Sequence, residues 1–147
     1  MHIDLLRADV TSLKVDAIIN PASAWKPVAE LGPVPVGHAV VTSGGNLLCK
    51  FVIHAIVPRH GDGDEDAKLR SALWAALKRA EELAIASVAM PPVPEAFGFE
   101  PARCAQVLVS AALDFRPHAR SLQRVVFCAF DEETYGELRR ALEELTP

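Results

Sequence analysis

Residues 36–58 read VGHAVVTSGGNLLCKFVIHAIVP and hold the most informative strand signals of the chain. Two apolar segments rich in β-branched residues, 39–42 and 51–57, flank a turn signal at Gly44-Gly45-Asn46. Alternation between apolar and polar residues is weak, which is typical of strands covered on both faces. The stretch therefore predicts two buried strands joined by a tight turn.

After residue 58 the pattern alternates between helices and strands. One helix carries an apolar stripe from Leu69 to Leu83, a second begins at Pro101, and a third is capped by Asp131. Strands lie between these helices at residues 87–90 and 125–130. Right-handed crossovers make such strands parallel. The pattern predicts a three-layer α/β/α domain with a mixed, mostly parallel sheet of about six strands.

The first 35 residues contribute two more strand signals, at residues 3–6 and 17–20. We expect Pro21 to end the second strand, because proline cannot donate a ladder hydrogen bond. Residues 21–35 are proline-rich and predict irregular chain, with one helical turn at most, around residues 28–31. In open α/β sheets ligands bind beyond the carboxyl ends of the strands.

Composition limits the classes of function. The length of 147 residues predicts a single domain over residues 1–147. The net charge is −4 and no Lys/Arg stripe is present, which argues against a DNA duplex as partner. No apolar run reaches the length of a membrane span, so no membrane partner is expected. Three widely spaced cysteines predict reduced, buried thiols and a cytoplasmic location. The histidines lack metal-ligand spacing, so neither a metal nor another cofactor is expected.

Residues 36–58 and the order of the elements resemble the middle of a macro domain, the ADP-ribose-binding α/β module. That family carries a Gly-Glu-Ala segment, a strand, a turn, and a strand that ends in Val-Ile-His-x-x-x-Pro. The counterparts here are Gly37-His38-Ala39 and residues 52–58. The resemblance runs from Ala8 to Leu145 and implies a macro-domain-like fold that binds ADP-ribose or a related adenine nucleotide.

Two places resemble the adenosine half of the family's site. Residues 8–11, Ala-Asp-Val-Thr, resemble Gly-Asp-Ile-Thr, whose aspartate accepts a hydrogen bond from the adenine amino group. The resemblance thus assigns Asp9 and Val10 to the ligand, although Asp9 could equally make an Asx-type turn, and both roles are compatible. Phe130 matches the aromatic residue that stacks on adenine. The alternative for Phe130 is a buried residue at a strand end.

The distal-ribose half resembles the family less closely. Residues 20–23, Asn-Pro-Ala-Ser, resemble Asn-Ala-Ala-Asn, and Ser23 replaces the asparagine that contacts the ribose. Asn20 belongs to the same motif, but we expect it to support the strand end. The family's glycine-rich loop and the aspartate of its hydrolytic members have no counterpart in residues 24–35, where Glu30 is the only carboxylate. We therefore predict no catalytic residue.

Residues 90–100, MPPVPEAFGFE, stand in the place of the family's second phosphate loop, whose backbone N–H groups converge on a diphosphate. Pro94 removes a donor, Glu95 adds a negative charge, and Ala96 resists a positive φ. These changes predict a weakened phosphate site. The ligand contacts that the resemblance implies in this segment are Val93, Glu95, Ala96, Phe97 and Gly98.

Three functions remain open at this point. The first is a noncatalytic module for ADP-ribose or another adenine nucleotide. The second is a hydrolase of ADP-ribosyl or O-acetyl-ADP-ribose substrates that uses a positioned water. The third is a ligand-free structural or interaction domain, supported if Trp25, Val28 and Leu31 form an exposed apolar patch, for example in a homodimer.

Overall fold

The computed structural model describes residues 1–23 and 34–146. Within these ranges six strands form one sheet: β1 (His2–Arg7), β2 (Ala17–Ser23), β3 (Ala39–Ser43), β4 (Phe51–Val57), β5 (Ser87–Met90) and β6 (Arg124–Ala129). Three α-helices accompany them: α1 (Glu65–Glu82), α2 (Pro101–Phe115) and α3 (Glu132–Leu145). The strand order across the sheet is β1-β6-β5-β2-β4-β3.

The sheet is mixed, as the sequence predicts. β1 pairs with β6, β6 with β5, β5 with β2 and β2 with β4 in parallel, while β3 is antiparallel to β4. The predicted α/β class and the mostly parallel six-stranded sheet are therefore confirmed. Because β1, β6, β5, β2 and β4 run in the same direction, their carboxyl ends meet at one edge of the sheet. We call this the carboxyl edge.

The two faces of the sheet are covered differently in the described part of the chain. Residues from all three helices share one hydrophobic core with one face of the strands, which includes Ile19, Ile53 and Phe127. The opposite face, which includes Ile18 and Val126, forms a smaller cluster with Val10, Val15 and Cys49. Weak alternation in the sequence is explained, since both faces of these strands bury apolar side chains.

Two local predictions can be compared directly with the structure. The three cysteines, Cys49, Cys104 and Cys128, are free and buried, as predicted. The prediction that Pro21 ends the second strand is wrong, because β2 continues to Ser23. β5 pairs with β2 only at Ala17 and Ile18. Beyond Ile18 that side of β2 has no ladder partner among the described strands, so a residue without an N–H is tolerated there.

The carboxylate of Glu81 fixes the chain that enters β6. Its Oε1 accepts hydrogen bonds from the backbone N of Arg120 at 2.9 Å and of Leu122 at 2.8 Å, and its Oε2 accepts from Ser121 N at 3.1 Å. Burial alone would raise the pKa of Glu81. Hydrogen bonds from Leu122, Arg120 and Ser121 have the larger combined effect, and they lower the pKa below its usual value. The side chain therefore stays ionised and ties α1 to β6.

Replacing Glu81 by alanine is expected to lower the free energy of unfolding by about 2 kcal/mol, because several N–H groups lose their acceptor. For a domain of this size that corresponds to a fall of roughly 4–8 °C in melting temperature. Urea denaturation of Glu81→Ala measures the loss. Glu82→Ala is the matched control, since Glu82 makes only an exposed pair with Arg79 among the described residues. Equal losses in the two variants would contradict the role given to Glu81.

Candidate functional site

Asp9 and Phe130 follow the ends of neighbouring strands at the carboxyl edge. β1 and β6 are paired up to Arg7 and Ala129, so the two residues follow the ends of adjacent strands. Burial, together with the negative charge of Asp9, raises the pKa of Cys128 to about 11. The structure thus places the two residues that the sequence assigns to a base beyond the ends of paired strands.

A cavity of about 400 Å³ opens at the carboxyl ends of β5 and β6, between the first turns of α2 and α3. This volume is in the range of small-molecule sites. Three of the predicted site residues line it: Val93, Glu95 and Phe130. The other predicted residues do not line it; they are Asp9, Val10, Asn20, Ser23, Ala96, Phe97 and Gly98.

The carboxylate of Asp9 makes an Asx-type turn. Its Oδ1 accepts hydrogen bonds from Thr11 N at 2.9 Å and from Thr11 Oγ1 at 2.7 Å. These bonds hold the pKa of Asp9 below its usual value, so the group is ionised. No further hydrogen bond to this carboxylate exists among the described residues, and Oδ2 can still accept one. Val10 is 7% exposed and packs in the smaller core, which leaves its backbone as the part that can meet a ligand.

The ring of Phe130 is 63% exposed at the mouth of the cavity. The alternative of a buried residue at the strand end is therefore wrong, and Phe127 is the buried phenylalanine of β6. Asp131 follows and caps α3 by accepting a hydrogen bond from Thr134 N at 2.7 Å, as the sequence predicts. This cap fixes the backbone next to Phe130, so the ring keeps its place at the rim.

Asn20 and Ser23 do not share a face of the sheet. Their positions in β2 differ by three residues, so their side chains point to opposite faces. Ser23 is 2% exposed. Asn20 Nδ2 lies 3.3 Å from His54 Nδ1, and His54 Nε2 lies 2.8 Å from Thr42 Oγ1. Asn20 thus belongs to a polar row across β2, β4 and β3, and only Ser23 lies at the end of its strand.

The segment between β5 and α2 uses two of its backbone donors within a tight turn. A 3-10 helix spans Glu95–Phe97, and Phe97 N donates to Pro94 O at 3.0 Å. Gly98 N donates to Glu95 O at 2.9 Å, and its φ of 85° is a conformation that favours glycine. Phe97 packs partly buried against the main core, whereas Ala96 is exposed. The N–H groups of Phe97 and Gly98 are therefore already used within the segment.

Some predictions fall outside the described residues. They concern the helical turn around residues 28–31, the carboxylate of Glu30 and the apolar patch of Trp25, Val28 and Leu31. Within the described ranges, no group of three His, Cys, Asp or Glu residues has the arrangement of a metal site. None of the helices in that part of the chain has the length and apolarity needed to cross a membrane.

Comparison with known proteins is decisive for the family. The family model for the Macro domain matches residues 19–108. The chain belongs to the macro domain family. The Oceanobacillus iheyensis macrodomain with ADP superposes on this macro domain with a TM-score of 0.83 at 19% identity, covering 96% of this chain and 90% of that one. The fold inferred from residues 36–58 is thereby confirmed.

Two relatives extend the comparison. An uncharacterized protein of Saccharolobus solfataricus is 32% identical over 160 residues, which cover 92% of this macro domain and 89% of the relative. A protein of Escherichia fergusonii named O-acetyl-ADP-ribose deacetylase is 30% identical over 168 residues, covering 96% and 95% of the two chains. Both alignments are longer than the 147 residues of this macro domain. The relatives therefore carry segments that have no counterpart here.

The helical part of the cavity wall in this macro domain was not predicted from the sequence. Cys104 and Leu108 of α2 and Leu138 of α3 line the cavity. Burial raises the pKa of Cys104 to about 12, so this thiol is neutral and acts as an apolar surface. The signal was present: Cys104 and Leu108 are four residues apart in the first turns of a helix that starts at the carboxyl edge.

The polar row generates a prediction about pH. Burial lowers the pKa of His54 from its usual 6.5, while in the unfolded chain the histidine titrates normally. As the pH falls below about 6.5, the unfolded state takes up a proton more readily than the folded state, so stability is present above that pH and is lost below it. Melting temperatures between pH 7 and pH 5 should therefore fall more steeply for the wild type than for His54→Gln.

The matched control for this measurement is His2→Gln, because His2 is exposed at the start of β1. We expect His2→Gln to follow the wild-type curve. Parallel curves for the wild type and His54→Gln would show that His54 titrates alike in the folded and unfolded chain.

Proposed function

We propose that this macro domain binds ADP-ribose or a related adenine nucleotide at the carboxyl edge and catalyses no reaction on it. The observation that carries the proposal is the exposed ring of Phe130 at the mouth of the 400 Å³ cavity, beside the strand end that bears Asp9. A ring with an open face is a stacking platform for a base.

The base has complementary partners in this proposal. Adenine stacks on Phe130 and enters a cavity whose wall is mainly apolar, with Val93, Phe99 and Leu108 among its residues. The adenine amino group donates to Asp9, whose Oδ2 is available and whose charge is maintained by the hydrogen bonds from Thr11. A neutral aromatic ring suits such a wall, because it loses little hydration on entry.

The phosphates are expected to lie outside the cavity. Among the described residues, its charged wall residues are all carboxylates: Glu95, Asp131 and Glu133. A phosphate about 4 Å from one carboxylate is repelled by roughly 1 kcal/mol in water and by more where water is excluded. The ligand therefore runs from the cavity along the carboxyl edge towards the end of β2. The O. iheyensis macrodomain was solved with ADP, a nucleotide of this type.

Removing the stacking ring should weaken every adenine ligand. We expect Phe130→Ala to lower the affinity for ADP-ribose, AMP and adenosine about fivefold or more, because stacking on an aromatic side chain contributes about 1–3 kcal/mol per base. Asp9→Ala should also weaken all three, since each keeps the adenine amino group. Isothermal titration calorimetry measures the dissociation constants.

Leu48→Ala is the matched control for these titrations. Leu48 is 68% exposed, like Phe130, but lies in the turn before β4, at the opposite edge of the sheet. The Leu48→Ala variant should bind all three ligands with the affinity of the wild type. If the wild type gives neither heat nor a thermal shift with millimolar ligand, the proposal fails.

A second candidate function rests on one observation, the name O-acetyl-ADP-ribose deacetylase of the E. fergusonii relative. Ester hydrolysis needs a positioned water and a group that accepts its proton. Residues 24–35, which follow β2, contain a single carboxylate, Glu30. We expect no release of ADP-ribose from O-acetyl-ADP-ribose above the rate in buffer. Release that is abolished by Phe130→Ala would establish hydrolysis in place of simple binding.

A further inference from the structure

Arg59 is a cation at the carboxyl edge. It follows β4, whose last residue, Val57, pairs with Ser23 at the end of β2. The Nε atom of Arg59 is buried and has no hydrogen-bond partner within residues 1–23 and 34–146. Among the residues that the structure describes, the ion pairs do not include Arg59. The guanidinium thus contains a donor that no described residue satisfies.

The backbone around Arg59 is fixed by hydrogen bonds. Arg59 N donates to Asp62 Oδ2 at 2.9 Å, and Asp62 N donates back to Arg59 O at 3.1 Å. His60 N donates to Phe97 O at 2.8 Å, which joins the loop after β4 to the segment after β5. A Cβ at Gly98 would lie 3.0 Å from the Cβ of His60, so the two segments approach closely. The position of Arg59 is thus set by the fold.

The guanidinium of Arg59 reaches from the end of β4 to the segment after β5. Its Cζ lies 5.5 Å from the ring centroid of Phe97, which belongs to the segment after β5. β5 and β4 are the neighbours of β2 in the strand order. From β6, where Phe130 follows, to β2 there are two strand spacings, about 10 Å in all. A nucleoside with a 5′-diphosphate is long enough to connect these places.

Part of the backbone in this region cannot donate to a phosphate. Pro91, Pro92 and Pro94 have no N–H, and the N–H groups of Phe97 and Gly98 are used within the 3-10 turn. The carboxylates near Arg59 bind backbone N–H groups and form no ion pair with its guanidinium among the described residues. Asp62 accepts from Arg59 N, and Glu65 Oε1 accepts from Gly61 N at 2.7 Å.

We propose that Arg59 binds the diphosphate of the nucleotide through its guanidinium. The inference rests on the proposed function and adds the residue that recognises the anion. A planar guanidinium can make two parallel hydrogen bonds to one phosphate. The ring of Phe97 orients the guanidinium by a cation–π contact. The ligand class is an adenine nucleotide with a diphosphate.

Calorimetric titration with adenosine and with ADP separates the base from the phosphates. In Arg59→Ala the affinity for ADP should fall at least tenfold, while that for adenosine stays within twofold of the wild type. The affinity of Arg59→Lys for ADP should lie between those of the wild type and Arg59→Ala, because lysine keeps the charge and lacks the planar guanidinium. The wild-type affinity for ADP should also decrease with added salt, and this dependence should be smaller in Arg59→Ala.

Arg116→Ala is the control with the same change of charge. Arg116 is exposed beyond the end of α2, at the opposite edge of the sheet. Its replacement by alanine should leave the affinities for adenosine and ADP unchanged. Three results would overturn the role of Arg59: wild-type binding of ADP that is no tighter than that of adenosine, equal losses for both ligands in Arg59→Ala, or unchanged binding of ADP in that variant.

Failure of the proposed function itself looks different. A wild-type protein that binds neither adenosine nor ADP overturns the nucleotide site and Arg59 with it. If Arg59→Ala does not fold, Arg59→Lys and the salt series of the wild type decide the question. ADP binding that is unaffected by both the lysine substitution and salt excludes a guanidinium contact.

Discussion

Parallel pairing of β1, β6, β5, β2 and β4 is the constraint on which the rest of the structure depends. It brings the ends of five strands to one edge and so places Asp9, Arg59 and Phe130 along a single line. These residues are far apart in the chain. The backbone ladder positions them, and each loop then needs only a local device, such as the caps made by Asp9 and Asp131.

Much of the fold could be predicted from local signals. Residues 36–58 already contain two apolar runs and a glycine turn, and the helices carry clear stripes and start signals at Pro101 and Asp131. The length of β2 could not be predicted, because the effect of Pro21 depends on where β5 stops pairing. The face of the sheet that each helix covers could not be predicted either, since strands buried on both faces show no alternation.

The candidate site was predictable only in part. Asp9 and Phe130 stand beside strand ends in the sequence, so their proximity follows from strand order. The opposite directions of Asn20 and Ser23 follow from the period of a strand, yet the end of that strand had to be known first. Arg59 gave no signal, because a guanidinium that lacks an acceptor can be recognised only when its surroundings are known. A cytoplasmic location, a single domain over residues 1–147 and a homodimer stay predictions.

The prolines of residues 91–94 have a thermodynamic consequence. Pro91, Pro92 and Pro94 line the cavity, and their rings restrict the backbone before any molecule arrives. A wall that is already rigid loses little conformational entropy when a ligand fills the cavity. Occupancy should accordingly be governed by the release of water from apolar surface, with the negative heat-capacity change that accompanies it, and hardly by ordering of the chain.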